Sequence, residues 1–445
     1  MIVSTPIWSD TPTLPRPSLT RTVRADVAVI GGGLAGLSFA YHLLRSEPGK
    51  RLIVLEAGRI GSGASGRATG LLGPGVGQSL AGLVRRFGLE QAQALYRATL
   101  RAVTYVSELI REEQIDCDLE MTGQLVVARS KGGRDRIAKQ ARLLAQLELP
   151  HEVLTEIELG RVIRFAHKQL KKSGSEDSIA ALRLPVAGIL DPFALVAGLA
   201  ARVIQRGGTI FEKTRVTRID QGSPVRLQTD GGAEVIADQV VVATAGYTTN
   251  LGILRGRILP LHLQVLVTEP LSLKAQEIIG WAGREGVLDS RRIFNYFRLT
   301  RNNQIVFGGG RPRYRLGART DEDSNSAENA LDQLRQELVQ TFPREAELRV
   351  SRGWTGVIDY VSDSLPVIHY GGKRASISHL LGWCGHGIAL AVASGAWLTS
   401  LMSHDLTEDR LAWCREKPPL IPFELMRWLG FQSGVRTFSW LDRVA

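Results

Sequence analysis

Apolar positions along the chain alternate between short runs and helical spacing, and the changes predict where strands and helices fall. Asp26-Val27-Ala28-Val29-Ile30 is an apolar run suited to a buried parallel strand. It leads into Gly31-Gly32-Gly33-Leu34-Ala35-Gly36, and a helix is predicted from Leu37 to about Arg45. A second apolar strand, Leu52-Ile53-Val54-Leu55, ends in Glu56. From Leu80 to about Ile115, residues such as Leu83, Leu95, Val103, Val106 and Leu109 recur at helical spacing and predict helices that leave this first unit. Met121 to Ala128 reads as a strand and Arg134 to Leu147 as a helix with a charged face. A further helix, Phe193 to Gln205, opens on Asp191-Pro192 and stops at Gly207-Gly208. Thr209 to Glu212 and Thr214 to Thr217 follow as strand and turn. The β-branched run from Gln239 to Thr248 argues for a buried strand of a parallel sheet. Pro260 to Pro270, Arg292 to Thr300 and Gln304 to Gly308 read as strands of a second sheet, and Gly382 to Ala389 leads into a small-residue helix through about Leu401.

The first unit carries a specific chemistry. Gly31 permits a tight turn, Gly33 lets backbone approach a pyrophosphate with no Cβ in the way, and Gly36 allows the helix to pack closely on the strand. The unpaired N–H groups at the helix start face the phosphates, where the helix dipole favours an anion. Glu56, about twenty residues beyond the glycines, is placed to accept hydrogen bonds from both ribose hydroxyls. Strand, glycine turn, helix and acid together predict a dinucleotide site. Gly308-Gly309-Gly310 looks like another phosphate loop but runs into Arg311-Pro312-Arg313 and not into a helix, so it reads as a decoy.

The runs VIGGGLAGL and VLEAGRIGSGASGR resemble the FAD-dependent oxidoreductases of the D-amino-acid oxidase and glycine oxidase superfamily. Within that superfamily the resemblance is to the amine-oxidising branch typified by gamma-glutamylputrescine oxidase. It implies non-covalent FAD, an α/β Rossmann-like FAD-binding domain and an interleaved α+β substrate domain with a mixed sheet. The implied FAD contacts are Gly31, Gly33, Leu34, Ala35, Gly36, Glu56 and Ala57, then Gly63, Ala64, Ser65 and Gly66 of the G-x-G-A-S-G-R segment. Val216 matches the position whose backbone meets adenine, and Thr244 and Gly246 match the family's segment after the parallel strand. Gly356, Gly385, Gly387 and Ile388 match its closing segments, the last at a helix start that faces the flavin pyrimidine. The implied division is an arm over 1–24, FAD-binding segments over 25–80, 187–250 and 350–410, substrate segments over 81–186 and 251–349, and a tail over 411–445.

The resemblance also implies oxidation of an amine or amino acid to an imine, with hydride transfer to flavin N5 and reoxidation by oxygen or another carrier. Catalytic candidates on the substrate face are Tyr296, Arg298 and His386, beside Thr355 and Trp383. Arg298 is placed to pair a carboxylate, and His386 to sit over the flavin as a cation. Arg67-Ala68-Thr69-Gly70 departs from the branch's Arg-Asn-Gly-Gly, and no His or Cys there matches a flavin tether. Cys384 falls near the ring by position and reads as a small buried thiol.

Composition changes the picture in a few places. The 445 residues are 44% hydrophobic and 22% charged, an ordinary globular composition long enough for two domains. A net charge of +11 brings nucleic acid into view, with an alternative reading as a flavoenzyme that modifies a tRNA base. No stripe of interleaved aromatics accompanies Lys168–Lys172, Arg291-Arg292 and Arg311–Arg315, however, and they read as solvated surface. A non-enzymatic flavoprotein is the third reading, prompted by Ala68. Cys117, Cys384 and Cys414 are too scattered for a disulfide framework or redox pair, and no metal spacing occurs. The absence of a second strand-glycine-helix unit argues against NAD(P)H as electron donor. No apolar run reaches membrane-spanning length and the N-terminus has no signal-peptide pattern, so the expectation is a cytoplasmic protein. Residues 1–24 predict an extended surface arm that carries no chemistry. Lys417 onward, with Trp428, Phe431, Phe438 and Trp440, predicts a docked helix, with an interfacial membrane contact as the lesser reading.

Overall fold

The computed structural model describes residues 3–11, 14–166, 179–372, 376–403 and 412–444, so the basic run Lys168–Lys172 lies outside the described residues. Two eight-stranded sheets carry the architecture. In the first, β1 (Val23–Ile30) runs parallel between β2 (Leu52–Leu55) and β11 (Glu234–Val242). Beyond β2 lies β8 (Thr209–Phe211); beyond β11 lie β18 (Ser376–Leu381) and β17 (Val367–His369). Two antiparallel strands, β9 (Val216–Asp220) and β10 (Val225–Thr229), branch from β11. Ile30 stands opposite both Leu55 and Val242, so the loops that follow three parallel strands open along one edge. In a doubly wound sheet that edge is where ligands bind.

The alternation of β1 explains its burial on both faces. Val27 and Val29 join a core with Leu37, Val103, Leu199 and Val392 from α1 (Leu34–Ser46), α3 (Leu89–Glu112), α6 (Pro192–Gln205) and α9 (Gly387–Ser403). Ala28 and Ile30 point the other way, into a core closed by Val225, Leu227 and Val235. Asp191 caps α6 by accepting from the Phe193 and Ala194 N–H groups at 2.9 Å each, with Pro192 at the first helical position.

The second sheet runs β16 (Val350–Tyr360), β12 (Leu259–Thr268), β15 (Ile305–Tyr314), β14 (Tyr296–Leu299), β13 (Gly286–Asp289), β4 (Gln124–Val127), β6 (Ile179–Leu184) and β5 (Glu152–Thr155). Only β13 and β4 pair in parallel, so this sheet is mixed. One face packs Phe297 and Phe307 against Leu331, Leu334 and Leu338 of α8 (Ser324–Thr341). Smaller helices α2 (Leu80–Phe87), α4 (Lys131–Gln146), α5 (Glu156–Val162) and α7 (Leu273–Ile279) flank it. Between the sheets, β3 (Leu71–Leu72) pairs with β7 (Gly188–Ile189), and α10 (Glu424–Val444) closes the described chain.

Several expectations shift. The first helix begins at Leu34, not Leu37, so Leu34, Ala35 and Gly36 form its first turn. The strand expected to continue to Thr248 stops at Val242, because Ala245–Leu251 coils into a tight helical turn with Ala245 at φ +45°. Val350–Tyr360, expected with the FAD-binding segments, pairs along β12 in the second sheet. The glycine run at 308–310 lies inside β15 and starts no helix. The N-terminal arm is anchored and does not lie free: Trp8 and Leu19 are buried, and Arg16 pairs with the buried Glu212 at 3.2 Å.

Candidate active site

A cavity of about 1220 Å³ runs from the edge where β1, β2 and β11 end to the face of the second sheet and to α10. Its first end is built from backbone. Gly31 turns with φ +113°, and a Cβ there would lie 2.4 Å from the Ala243 carbonyl oxygen of the neighbouring strand's loop. Gly33 caps α1 without a side-chain acceptor, and the Leu34 N–H donates to Ser65 Oγ at 3.0 Å. The helix start therefore faces the cavity as an anion site of the kind a pyrophosphate occupies. Glu56 accepts from the Gly32 and Gly58 N–H groups at 2.8 Å each and from the Ser62 hydroxyl at 3.2 Å. Burial raises its pKa while these donors oppose the rise. Its carboxylate is fixed at the cavity wall, and these three donors leave one of its four lone-pair positions for a ribose hydroxyl.

The next segment, Arg67–Gly70, is held by its carbonyls. Trp354 Nε1 donates to the Arg67 oxygen at 2.9 Å, Trp8 Nε1 to that of Ala68 at 2.9 Å, Arg298 Nε to that of Thr69 at 2.7 Å, and the Leu190 N–H to that of Gly70 at 2.9 Å. Four successive peptide groups are thus locked by three distant elements and the arm. The Ala68 departure leaves this backbone path intact, and Trp8 gives the arm a direct part in shaping the site.

At the other side of the cavity, Asp359 organises a strained turn. Its carboxylate accepts from the Gly382 N–H at 2.5 Å and the Trp383 N–H at 3.2 Å, and its carbonyl accepts from the Cys384 N–H at 3.1 Å. Gly382, Cys384 and Gly385 all take positive φ. The turn delivers Gly387 as the first residue of α9, with Gly387 and Ile388 at the cavity wall. Burial pushes the Asp359 carboxyl up to about 6. Burial likewise raises the Cys384 thiol, as expected for an inert sulfur.

Of the residues expected at the site, Gly31, Gly33, Leu34, Ala35, Glu56, Ala57, Gly63, Ala64, Ser65, Val216, Thr244, Gly356, Gly385, Gly387 and Ile388 line the cavity. Gly36, Gly66 and Gly246 do not; they serve close packing. Added Cβ atoms there would lie 2.1 Å from the Gly31 oxygen, 2.3 Å from the Gly61 oxygen and 2.7 Å from the Ile358 oxygen. Tyr296 faces the cavity, and burial pushes its phenol up to about 12, so it stays a hydrogen-bond donor.

Two catalytic expectations are corrected. Arg298 is buried away from the cavity, its guanidinium donating to the Thr69, Leu299 and Leu190 carbonyls at 2.7, 3.0 and 2.6 Å, with the Trp8 ring 4.9 Å away. Burial pulls its pKa to about 10, which leaves it charged at neutral pH, as a clamp and not a carboxylate ligand. His386 does line the cavity, but burial lowers its pKa, so it is a neutral imidazole near pH 7 and not a cation. The reasoning from sequence missed Asp359, Trp8 and the cavity face of α10. An Asp inside the apolar strand pattern Val357-Ile358-Asp359 and a lone Trp in a polar arm were the available signals.

The basic clusters also resolve. Arg291 pairs with Asp289 and Glu337 at 2.7 and 2.8 Å, Arg292 with Asp442 at 3.4 Å, Arg313 with Glu322 at 2.9 Å and Arg315 with Asp321 at 3.0 Å. These guanidinium groups are engaged within the chain. Among the described residues no helix is long and apolar enough to cross a membrane.

Comparison with known proteins agrees with this geometry. The chain is 29% identical to gamma-glutamylputrescine oxidoreductase of Escherichia coli over 403 residues, covering 88% of this chain and 86% of that protein. It is 28% identical to the probable oxidoreductase OrdL of Haemophilus influenzae over 437 residues, 96% and 94% of the two chains. Among solved structures it superposes on glycine oxidase from Geobacillus kaustophilus with a TM-score of 0.69 at 22% identity, over 89% of this chain and all of that one. The unusual amino acid oxidase NikD, in its open form, gives 0.69 at 17% identity over 91% and 99%. The family model DAO, FAD dependent oxidoreductase, matches residues 26–401. The backbone cradle at the first end of the cavity fits its cofactor, FAD, and the chain belongs to the DAO family of FAD-dependent oxidoreductases, an enzyme of the amine and amino-acid oxidase type.

Proposed function

We propose that the protein oxidises the C–N bond of a small amine or amino acid to an imine, in the cytoplasm, with FAD held non-covalently. The observation that carries this reading is the continuity of one cavity, which joins the phosphate-binding start of α1 to the turn before α9 and then to Tyr296 on the second sheet. When bound, FAD supplies a two-electron acceptor that takes a hydride equivalent from the carbon bearing nitrogen and passes the electrons to oxygen or another carrier.

The chain's own residues divide the remaining work. The first turn of α1 receives the pyrophosphate and Glu56 the ribose hydroxyls. The start of α9, aimed by Asp359, presents positive dipole where reduction places negative charge. His386, neutral, and Tyr296, protonated, leave the amine free to lose its own proton to water before oxidation. The relatives support a small nitrogen substrate: one is named for gamma-glutamylputrescine and another for glycine. The engaged arginines of the basic clusters give nucleic acid no comparable support.

Anaerobic mixing of the FAD-loaded enzyme with a panel of amines and amino acids tests the reading. Loss of the flavin's visible absorbance with at least one of them is the expected result. Unchanged absorbance across the panel, with FAD still bound, would overturn it.

A further inference from the structure

We infer that α10 is the specificity wall of this cavity, and that the substrate is an amine with an apolar arm and no carboxylate on the reacting carbon. This rests on the amine-oxidation reading above and narrows its substrate class.

The geometry of α10 carries the inference. The helix is clipped at both ends. Near its start, Glu424 accepts from the Tyr314 hydroxyl at 3.0 Å and the Gly317 N–H at 2.7 Å. Near its end, Asp442 accepts from the Arg292 and Ile293 N–H groups at 2.9 and 3.0 Å. Between the clips, Met426, Gly430, Gly434 and Phe438 recur every fourth residue on the face that lines the cavity, beside Phe431 and Val435. Met426 and Phe438 are 59% and 47% exposed and present apolar surface to the cavity that Tyr296 and Phe294 also line. Added Cβ atoms at Gly430 and Gly434 would meet nothing within 4 Å. The helix therefore holds open an apolar space continuous with the FAD cradle, and burying an apolar arm there is favourable.

Charge narrows the class further. A carboxylate on the reacting carbon needs a cation near the ring, or it is desolvated without compensation. Arg298 is spent on carbonyls, and Arg67 gives Nε to the Ser62 oxygen at 2.7 Å and Nη1 to that of Thr355 at 2.8 Å. At the α10 end, Arg292 is paired with Asp442, and Arg427 with Glu424. Of the arginines that line the cavity, Arg215 stands beside Val216 at the FAD end, and Arg67, Arg292 and Arg427 already share their charge with Ser62, Thr355, Asp442 and Glu424, so a carboxylate on the reacting carbon would compete with these acceptors.

The test compares 3-phenylpropylamine, methylamine and phenylalanine as reductants of the FAD-loaded enzyme, wild type and Gly434→Leu. Leucine at 434 enters open space and suits a helix, so folding is preserved. The expected result is reduction by 3-phenylpropylamine with kcat/KM about tenfold or more above phenylalanine, and a fall of about tenfold in its preference over methylamine in Gly434→Leu. Preference for phenylalanine, or a ratio unmoved by Gly434→Leu, overturns the inference. A binding arm needs no turnover: 3-phenylpropanol should perturb the flavin spectrum at lower concentration than 3-phenylpropionate, and less so in Gly434→Leu. If no compound bleaches the flavin while this binding pattern holds, the oxidation reading fails and the apolar wall stands; equal binding of acid and alcohol sinks the exclusion of a carboxylate, and alcohol binding unmoved by Gly434→Leu sinks the wall.

Discussion

The two ends of the cavity are made of different material. The FAD end is backbone: N–H groups at the start of α1, glycines that admit close approach, and one carboxylate, Glu56, braced by two peptide N–H groups. The far end is side chain: Tyr296, Phe294, Phe431 and Phe438, brought together from β14, its preceding loop and α10. A dinucleotide presents the same phosphates and riboses to every enzyme that binds it, so a backbone cradle serves and leaves a repeated spacing in the sequence. A substrate pocket is set by which side chains meet across long sequence separations, and no spacing encodes that.

Substitutions can break this contrast, starting with the largest effect. Gly36→Val puts side-chain atoms beyond a Cβ that would already sit 2.1 Å from the Gly31 oxygen, forcing α1 off β1. Backbone cannot give way as a side chain can, so the variant should purify without FAD, read as the ratio of 450 nm to 280 nm absorbance. Retention of stoichiometric FAD would show that the helix need not pack this closely.

Arg298→Met tests whether the buried arginine is scaffold or substrate ligand. Three carbonyls lose their donor, at about 1–3 kcal/mol for each left unsatisfied, so thermal and denaturant stability should drop by about 3 kcal/mol or more. KM values for amines and amino acids should move together. A selective rise in KM for amino acids with stability intact would return Arg298 to the substrate.

Asp359→Asn sharpens the comparison at the one place where a buried carboxylate shapes the ring end. Its folded-state pKa of about 6 exceeds the ordinary 3.8, so the proton favours the folded state. The contribution is fully present below about pH 3.8 and is lost as pH rises through 6, a change on the order of 3 kcal/mol. Urea titrations between pH 4 and pH 7 should show that fall in the wild type relative to Asp359→Asn, which lacks the titrating group. Parallel profiles would mean the carboxylate is better solvated than its burial implies.

Glu56→Ala removes an acceptor from the FAD end alone. FAD affinity should weaken by roughly 1.5–3 kcal/mol for each hydrogen bond to a charged acceptor that is lost, measured by flavin fluorescence on dilution. Unchanged affinity would take Glu56 out of the ribose site.

These contrasts also explain what could be read from the chain beforehand. The strand, turn, helix and acid from Asp26 to Glu56 are contiguous, and local periodicity suffices to place them. The start of α9 at Gly387 was legible through the family resemblance of the Gly385-His386-Gly387 segment. Arg298 was not, because its acceptors are the carbonyls of Thr69 and Leu190, 229 and 108 residues away along the chain. Nothing around Arg298 in sequence distinguishes an arginine aimed at a ligand from one buried under the loop. His386 lines the cavity but loses its expected charge, because burial lowers its pKa and burial is not written in local spacing. The α10 face was half legible: its aromatics announced a docked helix, but only the fold shows that Gly430 and Gly434 turn toward the cavity.

The account stands or falls on whether the turn aimed by Asp359 brings the start of α9 to the reducible ring. The most direct measurement is the two-electron reduction potential of bound flavin in wild type and Gly387→Ala, by equilibration with reference dyes. A Cβ at 387 would lie 3.3 Å from Trp383 Cβ, so either the indole or the helix start must shift. Loosening a helix terminus from a negative charge is worth about 1–2 kcal/mol, or roughly 20–40 mV for two electrons. The account predicts a potential lower by about that much with FAD still bound. A potential equal to that of the wild type would place the ring elsewhere in the cavity and contradict it.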